Sequence, residues 1–332
     1  MKAIVWTKYG SPDVLQLKEV EKPIPKENEV LIKIHAATVT MGDCEIRNIR
    51  FSGWLKLLMR LAVGIRRPRK KRSILGQELA GEIEAVGVNV KHFKKGDQVF
   101  AVTGFRFGGY AEYVCLPEEW NDGQVLLKPS NMSYEDAAAV PIGGLEALHY
   151  LRLANMERGQ TVLISGASGS IGTFAIQMAK YYGAVVTAVG NPSSLEMMKS
   201  IGADKVIDYT QEDFTKNGET YDVIFDVIGK SPLSSCKGSL KENGTYLLAN
   251  PKVGSFSNRE KRASKKSSVK YISGNRNNAI ERLEQLRFLK KLIEEGKLKS
   301  VIDRRFPLEQ VPEAHRYVET GQKSGHVIIN VV

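Results

Sequence analysis

The stretch that most narrows the choice of fold is Thr161-Val-Leu-Ile-Ser-Gly-Ala-Ser-Gly-Ser-Ile-Gly172. Thr161–Ser165 is an uninterrupted apolar run, which predicts a strand buried on both faces. Glycines at 166, 169 and 172 then turn the chain. Ser170–Tyr182 predicts a helix, and Val185–Val189 a second strand. Glycines alone mark only a turn. In the order strand, turn, helix, strand, however, Ala167-x-Gly169-x-x-Gly172 is the dinucleotide fingerprint with alanine at its first glycine. Gly169 lets backbone approach a pyrophosphate, Gly172 permits close helix–strand packing, and the helix N-terminus offers free N–H groups to the phosphates. The expected contacts are Gly166, Ala167, Ser168, Gly169, Ser170, Ile171 and Gly172.

The end of the second strand sets the cofactor expectation. A site for NAD needs a carboxylate there for the ribose diol. This chain has Gly190-Asn191-Pro192-Ser193-Ser194, with no carboxylate to repel a 2′-phosphate and an amide and hydroxyls to hold it. Gly190, Asn191, Ser193, Ser194 and, after the third strand, Tyr209 are therefore candidates for binding NADP(H). Ile228 and Asn250 complete the candidate cofactor set.

Around this unit the rhythm of the chain changes twice. Residues 1–127 read as short strands (Val30–Ala36, Leu79–Val86, Gln98–Val102, Tyr110–Cys115) punctuated by Gly87, Gly96-Asp97 and Gly108-Gly109. From about 128, strands and helices alternate, which predicts a parallel sheet covered by helices. Ser133 begins a helix there as N-cap. Lys205–Asp208, Asp222–Val227, Gly244–Leu248 and Val269–Ile272 read as further strands. Ile280–Glu294 reads as a helix with a core-facing stripe of Ile280, Leu283, Leu286, Leu289 and Ile293. After 301 the chain returns to β character. The expectation is an α/β fold with a doubly wound parallel sheet at 128–297 and a β-rich domain made of 1–127 and 298–332.

Composition excludes several classes. No run of eighteen uncharged apolar residues exists, so no membrane-spanning helix is expected, and the first residues read as strand and turn rather than as a leader. The three cysteines, Cys44, Cys115 and Cys236, are too scattered for a metal or disulfide framework. That spacing fits a cytoplasmic protein. The net charge of +11 is concentrated in Arg66–Arg72 and in Arg259–Lys266. Such blocks are commonly solvated loops, and they also attract anionic partners. An apolar segment, Trp54–Val63, precedes the first block. It reads either as an ordinary packed helix or as a flap at a substrate site that also touches an anionic membrane. A nucleic-acid partner is not expected.

Five further motifs carry a family resemblance: Gly76-Gln-Glu-Leu-Ala-Gly-Glu-Ile-Glu-Ala-Val-Gly87, Gly108-Gly-Tyr-Ala-Glu-Tyr113, Ala139-Val-Pro141, Val206-Ile-Asp-Tyr209 and Ile302-Asp-Arg-Arg-Phe306. Together with the glycine turn they resemble the medium-chain dehydrogenase/reductase superfamily along essentially the whole chain, the last two matching its zinc-free quinone-oxidoreductase-like branch. The resemblance implies a Rossmann domain plus a GroES-like catalytic domain, and a homodimer. Gln77 stands where zinc members of the superfamily have a ligating histidine, and no four-cysteine lobe is present, so no metal is expected. The chain also departs from the branch. Val39-Thr40 replaces its valine-asparagine pair, Glu146-Ala147 its threonine-alanine pair, and Ser193 a common basic residue.

Without a metal, hydride transfer depends on positioning and on hydrogen bonds to a developing oxyanion. Quinones and α,β-unsaturated carbonyls suit such chemistry, because charge spreads to oxygen as an enolate or hydroquinone anion. The expected function is thus NADPH-dependent, zinc-independent reduction of a quinone or enone. Thr40, Asp43, Tyr110 and Glu146 are the candidate catalytic contacts, each with packing or capping as its competing role. Two alternatives come from other classes. One is an NADPH-binding protein of low turnover that grips RNA or anionic lipid through the basic blocks. The other is a zinc alcohol dehydrogenase with atypical ligands.

Overall fold

The structure is a computed structural model that describes residues 1–51, 53–249, 268–274 and 279–331. The candidate Asn250 and the basic block Arg259–Lys266 lie outside the described residues. In chain order come β1 (Lys2–Trp6), β2 (Leu15–Glu19), β3 (Glu29–Val39), α1 (Met41–Asn48), α2 (Gly53–Val63), β4 (Glu78–Val86), β5 (Gln98–Val102), β6 (Tyr113–Pro117), β7 (Gln124–Leu127), α3 (Tyr134–Ala138) and α4 (Pro141–Leu153). There follow β8 (Thr161–Ser165), α5 (Ser170–Tyr181), β9 (Val185–Gly190), α6 (Leu195–Ser200), β10 (Lys205–Asp208), β11 (Tyr221–Asp226), α7 (Leu233–Cys236), β12 (Leu240–Leu248) and β13 (Lys270–Ser273). The last elements are α8 (Ala279–Glu294), β14 (Ile302–Pro307), α9 (Val311–Glu319) and β15 (His326–Asn330). No helix among the described residues is long and apolar enough to cross a membrane.

The chain forms two compact units: Met1–Ile142 with Asn278–Glu294 and Ser300–Val332, and Gly143–Asn277 with Glu295–Lys299. The first is built on a seven-stranded sheet of order β14-β15-β3-β4-β5-β7, with β6 also on β3. One edge of β3 pairs with β6 over Glu29–Lys33 and with β15 over Ala36–Val39, while β4 lies on its other edge. Register shifts at Leu31/Ile32 and Ile34/Ala36 bend β3 so that it serves both neighbours. The core is lined by Ile32, Ile34, Leu79, Ile83, Val99 and Ile329.

The second unit holds a six-stranded, all-parallel sheet of order β10-β9-β8-β11-β12-β13. Numbered within the unit this is 3-2-1-4-5-6, the doubly wound arrangement whose order reverses between β8 and β11. Strands buried on both sides explain the near-continuous apolar sequences of Val162–Ile164 and Val223–Phe225.

Three expectations need correction. Residues 128–142 and 279–294, expected in the second unit, pack with the first. Gln124 donates to Ala279 O (3.0 Å) and Asn131 to Ile293 O (2.8 Å), while α3 lies on β3 and β4. The stripe of α8 departs from the expected one at its start: Leu286, Leu289 and Ile293 are buried as expected, but Ile280 is 71% exposed, and Gln285 and Leu292 join the buried face. The strand expected at Tyr110–Cys115 begins only at Tyr113, because Tyr110 is held in irregular backbone, its N–H donating to Leu75 O and its carbonyl accepting from Ile4.

Candidate cofactor site and a buried polar cluster

At the reversal point of the parallel sheet, β8 ends in Gly166–Gly172 and α5 begins. Gly166 has φ +78°, a conformation that only glycine adopts without strain. A Cβ on Gly172 would lie 2.5 Å from Ala167 Cα, Ala167 O and Gly166 O, all of them backbone. No side chain can stand there without opening the turn. Gly169 is the N-cap of α5 and brings no side-chain cap to this twelve-residue helix, whose N–H groups at Ile171 and Gly172 have no intrahelical acceptor. This is the cradle that a pyrophosphate fits.

The other candidates gather at the same end of the sheet. Ala167 N–H donates to Val189 O at the end of β9, and Tyr209 N–H to Gly190 O. Ile228, after β11, approaches the turn so closely that a Cβ on Gly166 would lie 2.8 Å from its Cγ2. Asn191 is buried and Ser193 exposed, with the Ser193 hydroxyl donating to Asn191 Oδ1 (2.9 Å). Ser194 is withdrawn: fully buried, its hydroxyl donates to Asn191 O (2.8 Å) and so belongs to the turn. Sequence reasoning missed Asp226, at the end of β11. Its carboxylate accepts from the N–H groups of Ile228, Gly229 and Ser231 and from the Tyr246 hydroxyl, and so fixes the loop that carries Ile228. Burial raises its pKa while those donors oppose the rise. An acid ending an apolar strand was the available signal.

In the β-rich unit, Thr40, Asp43 and Tyr110 are brought together. Thr40 caps α1 in a capping box: Asp43 N–H donates to Thr40 Oγ1 (3.1 Å), while Thr40 N–H and hydroxyl donate to Asp43 Oδ2 (2.9 and 2.6 Å). The Tyr110 hydroxyl donates to Thr38 O (3.2 Å). Asp43 and Tyr110 are fully buried, so the roles this geometry gives them are capping and packing. Burial lifts the Asp43 carboxyl to about 6 and pushes the Tyr110 phenol up, the Asp43 charge adding to the effect. Thr40 is half-buried, as is Glu146 on α4.

Two members of this neighbourhood were not among the candidates. Glu78, in β4, accepts from the Thr38 hydroxyl and from Ile142 N–H. Burial raises its carboxyl to about 7, with the Asp43 charge adding and the two donors opposing. Lys323 donates to Gly325 O (2.7 Å), and burial lowers its ammonium to about 8 against the pull of Asp303 and Glu78. The signal for Glu78 was an acid inside an otherwise apolar strand.

Cys44 meets a histidine far away in sequence, His315, at 3.2 Å (Sγ to Nδ1). The same ring nitrogen faces the buried guanidinium of Arg47 at 2.9 Å, so a cation already stands where a metal would have to approach. Burial, and then Arg47, hold His315 well below its ordinary pKa, which leaves Nδ1 as the acceptor. Among the described residues no three of His, Cys, Asp and Glu form a group that could hold a metal.

Comparison with known proteins adds the following. The family model for the alcohol dehydrogenase GroES-like domain matches residues 26–129, and that for zinc-binding dehydrogenase matches 201–329. The chain is 33% identical to 2-methylene-furan-3-one reductase of Solanum lycopersicum, over 100% of this chain and 79% of that one. It is 31% identical to the chloroplastic NADPH-dependent alkenal/one oxidoreductase of Arabidopsis thaliana, over 99% and 79%. Among solved structures, the quinone oxidoreductase of Coxiella burnetii is 30% identical, with a TM-score of 0.85 over 100% of this chain and 99% of that one.

Proposed function

The chain belongs to the medium-chain dehydrogenase/reductase superfamily, in its quinone-oxidoreductase-like branch, and from that membership we propose that it is an NADPH-dependent, zinc-independent reductase of quinones or α,β-unsaturated carbonyls. The observation that carries the proposal is the uncapped N-terminus of α5 at the reversal point of the sheet, beside a strand end, 190–194, that holds no carboxylate. The names of the relatives, which specify furanone, alkenal/one and quinone reduction, support the substrate class. The substrate is a small molecule.

The roles proposed for the chain's residues follow from that geometry. Gly166 and Gly172 keep the turn tight, with the Gly169 N–H donating to Gly166 O, and the N–H groups of Ile171 and Gly172 hold the pyrophosphate. Asn191 and Ser193 hold the 2′-phosphate, with Tyr209 beside them. When bound, NADPH supplies a hydride. Thr40 is engaged with the Asp43 carboxylate and Tyr110 with Thr38 O, while Asp43, whose Oδ1 has no hydrogen-bond partner among the described residues, is fully buried, so none of the three presents an exposed strong acid. This favours acceptors whose anionic product, an enolate or hydroquinone anion, takes its proton from water. A saturated ketone needs stronger polarisation of its oxygen. Thr40 and Glu146 remain the proposed polar contacts.

The same proposal extends to a cytoplasmic homodimer with a weak contact to anionic membrane. It is supported by the family resemblance, by three cysteines that form no disulfide and by the basic block. The test is steady-state NADPH consumption with quinones, enones, enals and saturated ketones. Turnover confined to conjugated acceptors is expected. NADPH binding without turnover on any of them refutes the enzyme reading in favour of a binding protein.

A further inference from the structure

Helix α2 is apolar on both sides. Met59 and Val63, with Leu55 beside them, pack into the core of the β-rich unit. Trp54 (68% exposed), Leu57 (61%), Leu58, Leu61 (48%) and, just past the helix, Ile65 (62%) form a second stripe that faces solvent. A contiguous exposed apolar stripe of this kind marks an interaction surface. It is fixed in place. The Tyr9 hydroxyl donates to Gly64 O, Arg69 N–H and guanidinium donate to Val63 O (2.9 Å) and Leu61 O (3.0 Å), and the Arg72 guanidinium donates to Ala62 O. Arg69 and Arg72 thus cap the last carbonyls of the helix. The neighbouring Arg66, Arg67, Lys70 and Lys71 are exposed and make no ion pair among the described residues.

The charge around this stripe is one-sided. Between Ile46 and Gln77 the chain carries ten basic residues and no acidic one. A two-fold contact between copies through this face would set like charges opposite each other. A nucleic acid would match the charge but leave Leu57, Leu58 and Leu61 against water. An anionic lipid surface satisfies both halves, taking the apolar stripe among acyl chains and the cations among headgroups.

We propose that α2 and the Arg66–Lys71 block form a docking surface for an anionic bilayer. This deepens the membrane contact proposed above and rests on that part of the reading, but not on the chemistry. Near an anionic leaflet each cation contributes roughly fivefold in partition, so neutralising four lowers binding by well over tenfold even after salt screening.

The experiment is sedimentation with vesicles of phosphatidylcholine, alone or with an equal share of phosphatidylglycerol, at low and high salt. It compares the parent with two variants. One carries Arg66→Gln, Arg67→Gln, Lys70→Gln and Lys71→Gln, sparing the capping arginines. The other carries Leu57→Ser and Leu61→Ser, both at exposed positions. The parent should sediment only with the anionic vesicles, with a blue shift of Trp54 fluorescence that Trp54→Phe abolishes, and both variants should lose at least tenfold in partition. The proposal is overturned if the parent does not sediment, or if the leucine variant binds as the parent does. It is equally overturned if the fluorescence shift occurs without vesicles as the protein self-associates. NADPH consumption by the same preparations is read separately, so failure to dock and failure of the enzyme reading are distinguishable.

Discussion

Replacing Glu78 by Gln isolates the electrostatic cost of the buried cluster. The Glu78 carboxyl has an ordinary value of 4.5 and is raised to about 7 in the fold. The native state therefore holds this proton more tightly than the unfolded chain does. The stabilisation is fully present below about pH 4.5 and is lost as pH rises through 7. A gap of that size corresponds to about 3 kcal/mol, most of it falling between pH 5 and 8. Glutamine keeps the shape and the bonds: its oxygen accepts from Ile142 N–H and its amide donates to Thr38 Oγ1, with no charge to bury. The stability of the variant relative to the parent should rise by about 2–3 kcal/mol from pH 5 to 8. Asp43, raised to about 6, titrates with the same sign in both proteins. His326, lowered to about 3 by burial and Lys323, opposes it below about pH 6.5 in both, so the difference between the proteins reports Glu78 together with its charge coupling to Asp43. Urea denaturation at pH 5, 6, 7 and 8, followed by tryptophan fluorescence, measures it. All three tryptophans lie in the β-rich unit that holds Glu78. A difference that stays flat across this range refutes the argument that Glu78 is buried as a costly charge.

Two further predictions concern the cofactor. Gly172→Ala places a Cβ 2.5 Å from three backbone atoms, so the turn must open and NADPH affinity should fall more than tenfold in a fluorescence titration; affinity within twofold of the parent refutes the cradle. Asn191→Asp adds a carboxylate without changing shape and should invert the NADPH-over-NADH preference, each lost charge-assisted bond being worth roughly tenfold or more. Unchanged selectivity removes Asn191 from the 2′-phosphate site. Gly190→Asp is the poorer probe of the same idea, because its Cβ would lie 2.7 Å from Ser194 Oγ and from Met198 Cε, both buried.

What the sequence made legible was whatever local chemistry decides. The strands at Gln98–Val102, Thr161–Ser165 and Lys205–Asp208 stand at the bounds read from the chain, since each has β-branched residues inside it and polar or turn residues at or next to its ends. Helix α8 was legible as a helix but not in its orientation. A repeat of three, Ile280 to Leu289, slips about 60° around an α-helix at each step, against 3.6 residues per turn. Its first member therefore swings to solvent, and the face that packs follows mixed three- and four-residue spacing through Leu286, Leu289, Leu292 and Ile293. The glycine turn was legible because backbone approach leaves one residue type that fits, and the structure bears this out at Gly172. The polar cluster was not. Thr40-x-x-Asp43 has one spacing and two meanings, a helix cap or a catalytic pair, and only the hydrogen bonds from Thr40 N–H and hydroxyl to the Asp43 carboxylate decide for the cap. Arg47 and His315 lie 268 residues apart, and no periodicity joins them. What places them together is the packing of α1 against α9, so a buried arginine reads in sequence like any surface cation until the fold removes its water.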